Sequence, residues 1–364
     1  MTQPSRLRYQ LRSVAEITAQ EWQAWDDLLT QQTEAVWHSP YFQAEFIRQV
    51  ARVRTDMELV LMYADQQVQG FFPFHRLNRH SLAPVAEYLS DYHGPLLAPA
   101  WRTQLELSGL LKCMRAQRFS YNHLPLAWQS QSQPGWQTSR SLVLDLEQGY
   151  SAYQQQVASQ RDSGLFKKIA TAKRKLVQKH GALRFEFASL NRADFAALLA
   201  GKSQQFCRTL GPAHDIFAQD WIRQLMDALF ACQTPQFAGV FSSLYAGESL
   251  IAAHFGLRSA HTLHYWFPWY DTDFADYSPG LILLDLCAEQ AAASGLARID
   301  LGRGEQAYKQ RFATSSLELA EGVWTQPAWL GQVEMHYKTA KSSFKHSALG
   351  QQLRRFKQAL KSQK

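Results

Sequence analysis

The stretches YWFPWYD (265–271), YSPG (277–280) and IDLGRGEQAYKQRF (299–312) decide the reading of the fold. Ser278-Pro279-Gly280 reads as a helix start, with a polar residue at the N-cap and proline at the first helical position; the apolar run LILLDLCAEQAAASG follows and closes on Gly295. ARIDLGRG is then a short strand and loop, and EQAYKQRF a short helix. Upstream, FAGVFSSLYAGESLIAAHFGLRSAHTLHYWFPWYD contains three strand-like runs, separated by Ala246-Gly247-Glu248-Ser249 and Arg258-Ser259-Ala260-His261, which predict an antiparallel meander. A helix pair, DFAALLAGKSQQFC and FAQDWIRQLMDALFA, precedes it.

Further out, the N-terminal half repeats this plan. Thr18 and Glu21 form a capping-box pattern, so a helix is expected from about Ala19. His38-Ser39-Pro40 breaks the chain before YFQAEFIRQVARV, where Phe42, Phe46, Ile47 and Val50 recur at helical spacing. MELVLMYADQQVQGFFPFHRL predicts a hairpin turning at Ala64-Asp65-Gln66-Gln67, and LYAGESLIAAHF (244–255) echoes it in turn position and apolar pattern. HGPLLAP and a helix at LLKCMRA lead to a Gln-, Ser- and Pro-rich stretch, 129–139, before the strand SLVLDL. In SAYQQQVASQRDSGLFKKIATAKRKLVQKHG, Phe166, Ile169, Leu176 and Val177 fit one helical face, lysines crowd the rest, and Gly181 ends the helix. A chain of 364 residues suggests two domains. They are expected at 1–140 and 141–330, with a basic C-terminal tail at 331–364.

The formal net charge is +7, but residues 338–364 carry eight Lys or Arg and no Asp or Glu, which leaves about −1 for the remainder. A basic tail is therefore a better description than a basic protein, and nucleic acid is not the expected partner. Within the tail, Leu349, Leu353, Phe356 and Leu360 are spaced as on an amphipathic helix suited to a membrane surface. No apolar run has signal-peptide or membrane-spanning length, so a cytoplasmic protein is expected, with peripheral contact at the inner face of the membrane through the tail. The four cysteines show no CxxC spacing, and neither a metal nor a disulfide framework is expected.

The order of elements, together with Tyr277-Ser278-Pro279-Gly280, Asp300-Leu301-Gly302-Arg303-Gly304, Tyr308-Lys309 and Phe312, resembles the GNAT superfamily of acyltransferases. The resemblance is to its CelD-like or BioF2-like branch, which is related to the FemABX peptidyltransferases. EWQAWDDLL, Ser39-Pro40-Tyr41, GFFPF and SDYHGPL extend the similarity into the N-terminal half. The implied fold is α+β (mixed α/β): two GNAT-like domains side by side, each a central, mostly antiparallel sheet flanked by helices. The glycine-rich pyrophosphate loop of ordinary GNAT enzymes is absent, and DYSPGL stands in its place.

Acyl transfer needs a donor held by its phosphates, a proton acceptor for the nucleophile and a proton for the leaving group. Backbone N–H groups around Ser278, Gly280 and Leu281 are candidates for the donor's pyrophosphate. Tyr308, where the family keeps a tyrosine, would protonate the departing thiolate, and Lys309 would steady an anionic donor. Both residues suit ordinary packing or solvation nearly as well. Asp300 closes an apolar strand and is a candidate base or orienting group, with Arg303 its nearest partner in sequence and an equally good structural pair. Glu305 is a less favoured base. His254 is a second-tier candidate, since a strand histidine is more often a core group. Tyr265, Trp266, Trp269, Tyr270 and Asp271, with Arg303, are candidates for the acceptor, or else aromatic core.

The function expected from the resemblance is transfer of an acyl group, acetyl from acetyl-CoA, to an amine or hydroxyl on a sugar or polysaccharide precursor of envelope or exopolysaccharide assembly. The alternatives are FemABX-like transfer from aminoacyl-tRNA to a peptidoglycan precursor, and a non-catalytic binding protein that kept the fold.

Overall fold

The computed structural model describes residues 6–128, 133, 135–304 and 306–346, with side chains through residue 339; Glu305 and the tail stripe from Leu349 to Leu360 lie outside the described residues. The N-terminal half comprises β1 (Arg8–Ser13), α1 (Ala19–Thr30), α2 (Ala44–Val53), β2 (Met57–Ala64), β3 (Gln67–Arg76), β4 (Ser81–Ala83), β5 (Leu96–Leu97), α3 (Leu107–Cys113) and β6 (Arg118–Pro125). The capping box starts α1: the Glu21 N–H donates to Thr18 Oγ1 (3.2 Å), and the Thr18 N–H to Glu21 Oε2 (2.8 Å). Asp65 and Gln66, both left-handed, make the two-residue turn between β2 and β3.

In the C-terminal half, β7 (Gln137–Asp145), α4 (Tyr150–Gln160), α5 (Leu165–His180) and β8 (Leu183–Glu186) lead to the helix pair α6 (Arg192–Leu210) and α7 (Asp220–Ala231). The meander β9 (Phe237–Ala246), β10 (Ser249–Ser259) and β11 (Thr262–Tyr270) comes next. Then follow α8 (Pro279–Ala293), β12 (Arg298–Arg303), α9 (Ala307–Phe312), β13 (Ser315–Thr325) and α10 (Ala328–His346). On α5 the buried positions are Leu165, Ile169 and Leu176, whereas Val177, expected on the buried face, is exposed.

All these strands form one 13-stranded sheet in the order β1-β2-β3-β4-β6-β13-β7-β12-β11-β10-β9-β8, with β5 paired to β3. The order is symmetric about its centre. From either edge inward come an outer strand, a hairpin (β2–β3 or β9–β10) and a parallel pair (β4 with β6, β11 with β12); the halves meet where β13 lies antiparallel to β7. The echoing hairpins of the sequence therefore occupy equivalent places, and the fold is a mostly antiparallel α+β arrangement of two like units. The expected boundary at 140/141 falls inside β7, and β13 lies between β6 of one half and β7 of the other. One apolar cluster runs from Trp25, Phe46 and Phe72 through to Phe237, Phe255 and Phe267, so both halves share a core that fixes their relative position.

Two irregularities make the site. In the N-terminal half the chain leaves the sheet after β4, runs irregularly through 84–95 and returns as β5 on Gly70 and Phe71 of β3. In the C-terminal half β11 is unbroken, but its parallel ladder with β12 covers only Thr262–His264 against Arg298–Asp300, after which the two strands part. The excursion from one half meets the parting in the other.

Candidate active site at the seam

Asp300, 1% exposed, is a buried charge at this meeting point. A carboxylate in that position is tolerable only when its lone pairs are satisfied. Tyr92 and Ser141 donate their hydroxyls to it, and the Gly302 N–H donates at 2.8 Å. His264 Nδ1 lies 3.8 Å from one carboxylate oxygen of Asp300, while its Nε2 lies 3.1 Å from Asp91 on the excursion of the other half. One imidazole thus bridges two carboxylates contributed by the two units.

Burial opposes a charge on His264, but the negative carboxylates of Asp300 and Asp91 on either side of the ring outweigh it and hold the imidazolium to about pH 9. Burial likewise tends to raise both carboxyls; the charge of His264, with the Ser141 and Tyr92 hydroxyls at Asp300 and the Lys309 ammonium at Asp91, holds them below the usual carboxylate range. The histidine, raised from 6.5 in the unfolded chain to about 9, contributes stability that is complete below its unfolded value and lost as pH rises through about 9. The carboxylates contribute stability present above their unfolded value of 3.8 and lost on further acidification. Between these limits the cluster is two carboxylates clamped on one cation.

The cluster opens to solvent at Asp91, whose side chain keeps 21% of its surface exposed, against 1% for His264 and Asp300. His123 Nε2 lies 3.6 Å from the other Asp91 oxygen, and its Nδ1 lies 3.0 Å from Asn122 Oδ1. Burial lowers the pKa of His123, so it is neutral at pH 7. Tyr41, from the Ser39-Pro40-Tyr41 break, packs its ring edge-on to His264 with centroids 5.1 Å apart and lies 6.0 Å from Trp266.

Gly302 is where both halves press closest. Its φ of +71° is left-handed, and a Cβ there would lie 2.7 Å from Asp91 Oδ2 and 3.3 Å from the His264 ring. Gly302→Ala is expected to cost about 1–3 kcal/mol, read from the urea unfolding midpoint. An unchanged midpoint would contradict the close approach.

Lys309, buried, donates its ammonium to the carbonyls of Gly302 (3.3 Å) and Arg303 (2.9 Å), so it braces the loop after β12. Arg303, the sequence neighbour expected to pair with Asp300, instead binds Glu321 Oε2 on β13 at 2.9 Å and the Asn122 carbonyl at 3.3 Å. Asp300 faces the seam and finds its partners there. Tyr308, on α9, is half-buried, and burial pushes its phenol up to about 12.

The aromatic residues read from the sequence divide. Tyr265 is buried and stacks on His254, with centroids 3.8 Å apart and planes within 4°. His254, fully buried, has its pKa driven well below the usual value by burial and then by the charge of His264, so it is a neutral core imidazole at pH 7. Trp266 packs on Phe267 beside Tyr41. Trp269 lies so tightly over Gly201 of α6 that a Cβ there would meet its indole at 2.2 Å. Asp271 accepts the Asp273 N–H at 3.0 Å and caps the short 3₁₀ helix Thr272–Tyr277. Tyr270, 46% exposed, flanks Gly280 at the start of α8.

At that helix start Ser278 is left-handed, Pro279 has no N–H, and the Leu281 and Ile282 N–H groups bond the Ser278 carbonyl (3.0 and 3.3 Å). Among the described residues, the Gly280 N–H is the one left over in this first turn. Helix α5 lies against the preceding 3₁₀ turn, with His180 Nε2 3.4 Å from the Tyr277 hydroxyl and the Lys179 ammonium 5.9 Å from the Tyr277 ring centroid. On the same helix Lys173 pairs with Asp285 of α8 at 2.8 Å.

Asp91, Tyr92, Ser141 and His123 were not singled out from the sequence, although SDYHGPL was noted as part of the resemblance. The available signal was three consecutive chemistry-bearing residues, Asp91-Tyr92-His93, in an irregular stretch. Among the described residues no group of His, Cys, Asp and Glu is arranged to hold a metal ion.

Residues 163–310 match the family described as the acetyltransferase (GNAT) domain. No curated protein matches the chain. Among solved structures, FemX superposes with a TM-score of 0.54 at 11% identity over 88% of this chain and 99% of that one. A C-terminal domain (DUF2156) attributed to a lysylphosphatidylglycerol synthetase of Agrobacterium fabrum superposes with a TM-score of 0.51 at 11% identity, over 91% of this chain and 98% of that one. At these identities the likeness is one of fold.

Proposed function

Building on the match of residues 163–310 to the acetyltransferase (GNAT) domain family, we propose that the protein transfers an acyl group, acetyl in the first instance, from acyl-CoA to an amine or hydroxyl presented at Asp91. The observation that carries this reading is the ionised, partly open Asp91 carboxylate at the point where β11 and β12 part.

Acyl-CoA supplies an activated thioester carbonyl. The Gly280 N–H and the N-terminal dipole of α8 favour its phosphates, and the exposed Lys175 and Lys179 on neighbouring α5 add positive charge. Asp91 accepts the hydrogen bond of the acceptor N–H or O–H and takes its proton as the new C–N or C–O bond forms. Tyr308, protonated with a pKa of about 12, donates to sulfur as the C–S bond breaks. His264 and Asp300 hold Asp91 in place and ionised, and touch neither reactant.

The acceptor in this reading is a sugar or polysaccharide precursor of envelope assembly. Support comes from a cleft of about 280 Å³ lined by Asn122, the sequence neighbour of His123, together with Tyr88, Trp136, Glu87, Arg118 and Glu321. Aromatic faces with charged groups around them suit a polar ring. An aminoacyl-tRNA donor is the second reading, favoured by the single free N–H at α8 beside the cationic α5.

The deciding experiment measures free-thiol release from acetyl-CoA across a panel of amino sugars and polyols, alongside binding of CoA and of charged tRNA. Thiol release above background with at least one acceptor is expected. Binding of charged tRNA without CoA would select the second reading, and binding of neither would sink acyl transfer and leave a non-catalytic role.

A further inference from the structure

Among the described residues, helix α10 packs on β13 along one side. The Gly331 N–H donates to Thr325 Oγ1 (2.8 Å), Glu334 pairs with Arg118 (2.7 Å), and Lys338 sits 5.2 Å over the Trp136 ring. On the opposite side Trp329, Val333 and Tyr337, spaced i, i+4 and i+8, are 60%, 59% and 63% exposed, with Leu330 beside them. At that spacing the three share one helix face.

We propose that this face of α10 docks on an anionic lipid surface. Glu334 is the last acidic residue of the chain; the thirty residues after it, 335–364, carry eight Lys or Arg and no Asp or Glu. A second copy of the chain seated there, or the chain's own basic end folded back, would bring like charges together around the apolar face. An anionic headgroup layer offers the opposite charge, and Trp and Tyr rings favour the depth between headgroup and hydrocarbon. A nucleic acid would satisfy the lysines but has no use for Trp329 and Val333 at the centre of the face. Contact would be lateral, since no helix among the described residues is long and apolar enough to cross a membrane.

The test is flotation of the full chain with vesicles of phosphatidylcholine alone and of phosphatidylcholine with about a third phosphatidylglycerol, at low and high salt. The expected result is binding to the anionic vesicles only, weakened by salt. For Trp329→Ser/Val333→Ser/Tyr337→Ser, affinity should fall about tenfold or more while circular dichroism and elution volume stay as in the parent. The proposal is overturned by no flotation with anionic vesicles, by equal flotation with neutral ones, or by a triple variant that binds as the parent does. It is equally overturned if the triple variant converts a dimer to a monomer, which would assign the face to a second copy.

Discussion

Asp300→Ala is expected to lower the stability of the folded chain by about 3–5 kcal/mol, because it removes one partner from a buried charged cluster and strands the others. Tyr92 and Ser141 would lose their acceptor, the Gly302 N–H would be left unpaired, and His264 would face one carboxylate in place of two. Asp300→Asn, which keeps the shape and part of the hydrogen bonding, should lose less. Urea unfolding of the purified variants reads the effect as a lower midpoint at unchanged slope. A loss below about 1 kcal/mol for the alanine variant would mean that water replaces the carboxylate, and that Asp300 does not pin the two halves together.

Asp91→Asn should cost less stability than Asp300→Ala, although it removes one of the charges facing His264, and its larger effect should be on turnover. Its side chain is partly solvated, so an amide of the same shape can be hydrated in place. As the group that receives the acceptor's proton, its loss should reduce kcat/KM by roughly 10²–10⁴-fold with whichever acceptor of the panel is turned over. His264 would lose a negative neighbour and titrate lower, so any alkaline fall in kcat/KM that starts near pH 9 in the parent should move toward neutrality. Activity within about threefold of the parent would remove Asp91 from the reaction.

The contrast between these residues also marks what the sequence makes visible. Helix starts such as α1, with its capping box at Thr18, and α8, with proline at its first position, are local events, and their limits follow from residues a few positions apart. The same holds for the β2–β3 and β9–β10 hairpins, where two turn residues fix the register. The site is not local. Asp300 finds Tyr92 across 208 residues and Ser141 across 159, while the neighbour that proximity suggested, Arg303, turns to Glu321. Asp91 lies in an excursion without periodicity, and its importance comes from where the fold carries it. His264 lies on a strand, and nothing near it in sequence announces two carboxylates.

The seam depends on the charge of His264, since a neutral imidazole would not hold two carboxylates. Nitrogen-15 NMR of the full-length protein labelled at histidine, with the resonance assigned by its absence in His264→Gln, measures that charge directly across pH 5 to 10. The account predicts both ring nitrogens protonated at pH 7 and a midpoint of about 9. A neutral ring at pH 7, titrating at or below 6.5, would contradict it.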